Sequence, residues 1–209
     1  MHKPTKRLIA LKEVLIYNDK NVRKSIISEL RTLHDCEHPN ILKSYGAFLT
    51  ENGVSIALEY MNEGCLATIL NKVEKIPENI LCMITKQLLV GLEYLHNNAK
   101  VIHRDIKPHN ILLTTKGVVK IADFGVSSQI KHSFDSQNKQ VCTLSYMSPE
   151  RIMGQHYYSD IDLWSLGILL VEAVTGRYPY SDVDCSDQND FWVLKKKITE
   201  NPSPQLPKD

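Results

Sequence analysis

The stretch His103-Arg104-Asp105-Ile106-Lys107-Pro108-His109-Asn110 constrains this chain more than any other feature. Thirteen positions after Asn110 comes Asp123-Phe124-Gly125. The first motif gathers a carboxylate able to orient a hydroxyl, a lysine and an asparagine. The second sets another carboxylate beside a glycine, which permits a backbone turn that other residues resist. An ionised carboxylate accepts hydrogen bonds only, and it is the hard oxygen donor that Mg²⁺ prefers. A lone Asp-Phe-Gly arises by chance, whereas the eight-residue pattern followed at this spacing by Asp-Phe-Gly does not.

Periodicity places these motifs between regular elements. Arg7–Val14 has β character and holds Lys12. Asp19–Cys36 reads as a helix, with Val22, Ile26, Leu30 and Leu33 recurring at helical spacing, and His38-Pro39-Asn40 marks its end. Tyr45–Leu49 and Val54–Tyr60 read as strands joined by a turn at Glu51-Asn52-Gly53. Pro77 opens a long helix reaching about Asn97, with Ile80, Ile84, Leu88, Leu92 and Leu95 as its apolar stripe. Ile111–Thr114 and Val118–Ile121 are short strands between the two motifs. Asp160–Thr175 is a strongly apolar, buried helix, and Phe191–Thr199 a last short one.

Composition narrows the partners. The 209 residues suffice for one large domain or two lobes around a cleft. A net charge of +1 gives no electrostatic case for nucleic acid or an anionic membrane. The apolar stretch around Leu163–Val174 is too short and interrupted to span a bilayer. No apolar run follows Met1-His2-Lys3-Pro4, so no signal peptide is read there. Cys36, Cys65, Cys82, Cys142 and Cys185 show no Cys-x-x-Cys spacing. Reduced thiols in a cytoplasmic protein are the expectation.

Six elements in order resemble the protein-kinase signature set: Lys12 in Ile9-Ala10-Leu11-Lys12, Glu29, the His103–Asn110 motif, Asp123-Phe124-Gly125, Ser148-Pro149-Glu150, and Asp162-Leu163-Trp164-Ser165-Leu166-Gly167. The resemblance implies an α+β, bilobal protein-kinase-like fold using ATP and Mg²⁺. Residues 1–60 would be the small-lobe part, 61–64 the hinge and 65–209 the large-lobe part. It also implies missing pieces, since only eleven residues, none of them glycine, precede Lys12. The family's Gly-rich hairpin would lie before them. The last large-lobe helices would follow Thr199, and they hold the arginine that usually pairs with Glu150.

The same resemblance assigns roles. Lys12 would contact the nucleotide phosphates and pair with Glu29. Asp105 would orient the substrate hydroxyl or act as base, and Lys107 would stabilise the transferring phosphoryl group. Asn110 and Asp123 would hold the metal ions. Ala10 and Leu112 would sandwich adenine. Leu58 would be the gatekeeper, with Glu59 and Met61 in the linker that hydrogen-bonds adenine. His103, Phe124, Gly125 and Asp162 are structural in this scheme, Asp162 anchoring the catalytic-loop backbone. Leu33, His103 and Phe124 match a hydrophobic spine whose fourth position falls at Ser44, where an apolar residue is usual.

Lys107, two residues after Asp105, and Thr143 follow the serine/threonine pattern. Ser145-Tyr146-Met147-Ser148-Pro149-Glu150-Arg151-Ile152 and Gly176-Arg177-Tyr178-Pro179-Tyr180 are similar to the dual-specificity mitogen-activated protein kinase kinases. That subfamily implies a downstream mitogen-activated protein kinase as substrate and an upstream activating kinase. Its first activating serine would be Ser133, with Ser136 as second candidate and Arg104 as phosphate ligand. Cys142, where glycine is usual, departs from the pattern. The alternative reading is a catalytically silent kinase-like interaction module, or an inactive fragment.

Overall fold

The computed structural model describes residues 8–15, 30, 36–51, 53–123, 144–183 and 188–206. Alternating side chains and β-branched residues form three antiparallel strands near the start of the chain. They are β1 (Ile9–Leu15), β2 (Ser44–Thr50) and β3 (Gly53–Glu59), with β3 in the centre. The register sets Ala10 opposite Leu58 and Lys12 opposite Ile56. Period two therefore puts Ala10, Lys12 and Val14 on one face. That face meets Leu42, Val54, Ile56, Leu58, Met61 and Ala122, with Leu112 at its margin. Ser44 is buried opposite Leu58, and the register shifts between Ser44 and Gly46.

The chain then crosses to a second small sheet. Gly64-Cys65 forms β4, which pairs with β5 (Ile111–Leu113), itself paired with β6 (Val119–Ile121). The short helix α1 (Leu66–Leu70) follows β4 directly. Neither β4 nor α1 was expected from periodicity, because two and five residues are too few to display it. Helix α2 (Glu78–Glu93) starts after Pro77 and continues as a π-turn over Tyr94–Asn98. Its buried face is Leu81, Ile84, Leu88, Gly91 and Leu92. This corrects the expected stripe at one point: Ile80 is 41% exposed and Leu81 only 6%. Leu81 stands three residues before Ile84 and seven before Leu88, so it continues the buried line, and Ile80 lies one residue off it.

Three more helices follow among the described residues: α3 (Pro149–Ile152), α4 (Asp160–Thr175) and α5 (Gln188–Glu200). Helix α4 buries Ile161, Asp162, Ser165, Leu166, Ile168, Leu169 and Ala173, as expected of so apolar a segment. It ends at Gly176, with φ of 72°. A Cβ there would lie 1.9 Å from the Glu74 carbonyl oxygen, so both the turn and the close approach require glycine. Helix α5 extends beyond the expected Phe191–Thr199 and inserts Leu194 and Ile198 against Leu144, Ile168 and Tyr180. Each such fully buried aliphatic side chain contributes about 1.5–3 kcal/mol.

Of the helix expected over Asp19–Cys36, Leu30 is helical and Cys36 is buried outside any helix, and the remainder lies outside the described residues. Among the described residues no helix is long and apolar enough to cross a membrane.

Candidate functional site

The site is assembled on α4. Asp162, in its first turn, is 0% exposed. Its Oδ1 accepts the Arg104 N–H at 2.8 Å, and its Oδ2 accepts the His103 N–H at 2.8 Å. His96 Nε2 lies 2.7 Å from the same Oδ2. Burial alone would raise the Asp162 pKa. The His96 bond, the nearby His103 and the two backbone N–H donors outweigh it, holding the carboxyl below its usual range. A buried carboxylate thus fastens the backbone of the loop that follows α2.

Arg104 has φ of 70°, a left-handed conformation. For a residue other than glycine this costs about 1–3 kcal/mol and persists only where the surroundings enforce it. Here Asp162 holds its N–H, and Arg151 Nη1 donates to its carbonyl oxygen. Its guanidinium sits 5.8 Å from the centre of the Tyr157 ring. His103 is 1% exposed, and burial pushes its pKa down. Its Nε2–H donates to the Ala122 carbonyl at 3.0 Å, while Nδ1 accepts the Asp105 N–H at 3.2 Å. Those two bonds together require the neutral ring.

Asp105 is thereby presented on a fixed loop. Lys107 Nζ lies 2.9 Å from its carboxylate. Asn110 Nδ2 donates to Asp105 Oδ2 at 2.9 Å and to its carbonyl at 2.7 Å. These bonds use the Asn110 amide nitrogen, and among the described residues its side-chain oxygen accepts no hydrogen bond. The Asn110 carbonyl accepts the Ala122 N–H at 2.8 Å, joining this loop to the end of β6. Asp123 follows with φ of 61°, and its Oδ1 lies 2.5 Å from Lys12 Nζ. Lys12 is thus bonded to Asp123, and Asp105 to Lys107 and Asn110, with the Asn110–Ala122 backbone bond between the two groups.

Ala10 and Leu112 pack against the cluster containing Leu58 and Met61. Glu59 is anchored from the side, its carboxylate 3.0 Å from Lys120 Nζ. Across the cleft, Tyr146, Met147 and Arg151 line a small pocket with Arg104, Asp105 and Lys107. Ser165 Oγ donates to the Tyr146 carbonyl at 2.7 Å, and Tyr178 OH to the Ser145 carbonyl at 2.6 Å. Helix α4 therefore carries both this platform and the Asp105 loop. Glu150, in the first turn of α3, has no ion-pair partner among the described residues. Glu29, Phe124, Gly125, Ser133, Ser136 and Thr143 lie outside the described residues.

The donor set fits a divalent cation. Asp123 already attracts a cationic group, the Lys12 ammonium, and the Asn110 amide oxygen is a second hard donor. His96 and Arg151 were given no role from the sequence, although Arg151 stands within the Ser145–Ile152 motif. Their partners lie 66 and 47 positions away, and neither residue stands in a periodic or motif context that signals a pairing.

The chain is similar in sequence to known proteins. The protein kinase domain family matches residues 1–207. The chain is 48% identical over 171 residues to dual specificity mitogen-activated protein kinase kinase 1 of Dictyostelium discoideum, covering 82% of this chain and 26% of that protein. It is 40% identical over 210 residues to mitogen-activated protein kinase kinase 2 of Arabidopsis thaliana, covering 99% and 57%. It is 46% identical over 171 residues to dual specificity mitogen-activated protein kinase kinase dSOR1 of Drosophila melanogaster, covering 82% and 43%. The chain thus spans from about a quarter to somewhat over half the length of these curated relatives.

Proposed function

Since the chain belongs to the protein kinase family, we propose that its protein transfers the γ-phosphoryl group of ATP to hydroxyls of a downstream mitogen-activated protein kinase. Serine or threonine is the expected acceptor, with tyrosine as a second. The observation that carries this reading is the Asp105 constellation: one carboxylate, held by Lys107 and Asn110, on a loop clamped from α4.

In this reading Ala10, Leu58, Met61 and Leu112 enclose adenine, and the backbone at Glu59 and Met61 hydrogen-bonds it. Lys12 neutralises phosphate charge as a compact ammonium on a flexible stem. Glu29 is its partner on the helix side. Asp123 and Asn110 hold Mg²⁺, which when bound supplies charge neutralisation on the phosphates. Asp105 accepts a hydrogen bond from the substrate hydroxyl, orients it, and receives its proton as the oxygen becomes bonded to the γ-phosphorus and the bond to the bridging oxygen breaks, releasing ADP. Lys107 stands beside it to offset charge on the transferring group. Most of the catalytic contribution is positioning and electrostatics, which a preorganised loop supplies.

An upstream kinase would phosphorylate Ser133 or Ser136. The added ~1.5–2 negative charges would seek the Arg104 guanidinium and seat Thr143 near Asp105. The test uses the full-length protein co-expressed with an activating kinase and assayed on an inactive mitogen-activated protein kinase. Mass spectrometry should find phosphate on Ser133 or Ser136 of the enzyme and on the substrate. Nucleotide binding without substrate phosphorylation would instead support a silent interaction module.

A further inference from the structure

Arg151 lies in the last turn of α3, just past the Ser148-Pro149-Glu150 motif. Its guanidinium is partly withdrawn from water. That burial, together with the Arg104 charge, pushes its pKa down, while Tyr157, Asp105 and Asp162 pull it up. It forms no ion pair with a carboxylate among the described residues. A cation withdrawn from water without a paired anion is costly, so its one specific bond is informative. Nη1 donates to the carbonyl oxygen of Arg104.

That carbonyl belongs to the peptide joining Arg104 to Asp105. The N–H of the same peptide donates to His103 Nδ1 at 3.2 Å. The preceding N–H, on Arg104 itself, is held by Asp162 at 2.8 Å. With Arg104 at φ of 70°, the orientation of this peptide determines where the Asp105 side chain points. One of its two polar groups is fixed from the loop itself and the other from α3. The α3 segment is continuous with Tyr146 and Met147, which line the pocket facing Asp105.

We infer that Arg151 is a positioning residue: it locks the Arg104–Asp105 peptide and so makes the aim of the Asp105 carboxylate depend on correct seating of the substrate platform. The guanidinium suits this task because its planar fork fixes the donor direction, which a lysine ammonium on a flexible stem does not. The consequence for turnover rests on the kinase reading above. The consequence for the loop does not.

The experiment compares the full-length protein with Arg151→Met, which keeps bulk without a donor, and Arg151→Lys, which keeps charge. Hydrogen–deuterium exchange is followed in the peptide covering residues 101–107. Exchange there should quicken by roughly tenfold in Arg151→Met, because local opening becomes easier. Under activating conditions kcat should fall by about 10- to 100-fold, the scale of a small misplacement of a reacting group. The KM for ATP should stay within a factor of about two, since the nucleotide side of the cleft is untouched. Arg151→Lys should fall between wild type and Arg151→Met in both readouts. Should Arg151→Met fail to fold, Arg151→Lys decides alone, with faster exchange in 101–107 supporting the inference. Unchanged exchange in 101–107 overturns it whether or not the protein turns over. Quickened exchange with unaltered kcat also overturns it. A wild-type protein that phosphorylates no substrate would instead count against the kinase reading, and the exchange measurement would still judge Arg151.

Discussion

Lys12 and Asp123, separated by 111 positions, meet with Nζ 2.5 Å from Oδ1. The pair joins β1 to the residue that follows β6, and so links the two sheets. Both side chains remain about one-third exposed, at 33% and 36%, so the contact is open to exchange with a ligand. A surface pair of this exposure contributes ~0–1 kcal/mol to stability. Its importance lies in where it puts the charges.

The first prediction follows from that contact. Asp123→Asn removes the anionic oxygen a divalent cation needs but keeps the side chain's shape. Calorimetry with ADP should show Mg²⁺ tightening binding to the wild-type protein and leaving the affinity of Asp123→Asn unchanged. Equal Mg²⁺ dependence in the two proteins would remove Asp123 from the metal site.

Asp162→Ala should be strongly destabilising. The substitution strips the acceptor from the His103 and Arg104 N–H groups and from His96 at once. Loss of one partner from a buried charged network costs about 3–5 kcal/mol. Equilibrium urea unfolding should show a loss of that order. A loss below ~1 kcal/mol, the scale of a typical exposed pair, would contradict the clamp.

The motifs made the cleft residues legible because each carries a residue type with fixed chemistry at a fixed offset. Strand β1 and helix α2 were legible because they bury one face over enough residues for a period to emerge, β2 and β3 as β-prone runs on either side of Glu51-Asn52-Gly53, and α4 from its apolar composition. The pair β4–α1 was not, since seven residues in two elements hold no full repeat. Ile80 was misplaced because it and Leu81 stand four and three residues before Ile84, both helical spacings, and apolar spacing alone does not choose between them. The pairings of His96 and Arg151 were invisible for another reason. Each acts through one long-range polar bond, and a single polar contact leaves no periodic trace. Ser44 looked anomalous for a spine position, yet it is buried opposite Leu58 beside a register shift.

The buried His103 ring makes stability depend on pH. Its folded pKa is lowered from the ordinary 6.5 by burial. Above that value the ring is neutral in both states and contributes no pH dependence. As pH falls below it, the unfolded chain takes up a proton that the folded ring refuses. Stability therefore declines toward acid until the folded pKa is reached, by up to ~1.4 kcal/mol per pH unit. Protonation of Nδ1 would also remove the acceptor for the Asp105 N–H. His103→Gln should flatten the dependence below about pH 6.5, read from unfolding free energies at each pH. Parallel curves for the two proteins would show that this ring does not titrate on unfolding.

The central claim is that Asp105 acts on the substrate hydroxyl while the nucleotide is held elsewhere in the cleft. The most direct measurement is a paired determination on activated, full-length wild type and Asp105→Asn: affinity for Mg-ATP, and rate of phosphate transfer to an inactive mitogen-activated protein kinase. The account predicts nearly equal affinities and a transfer rate lower by about 10²–10⁴-fold in the variant. Near-normal transfer by Asp105→Asn would contradict it.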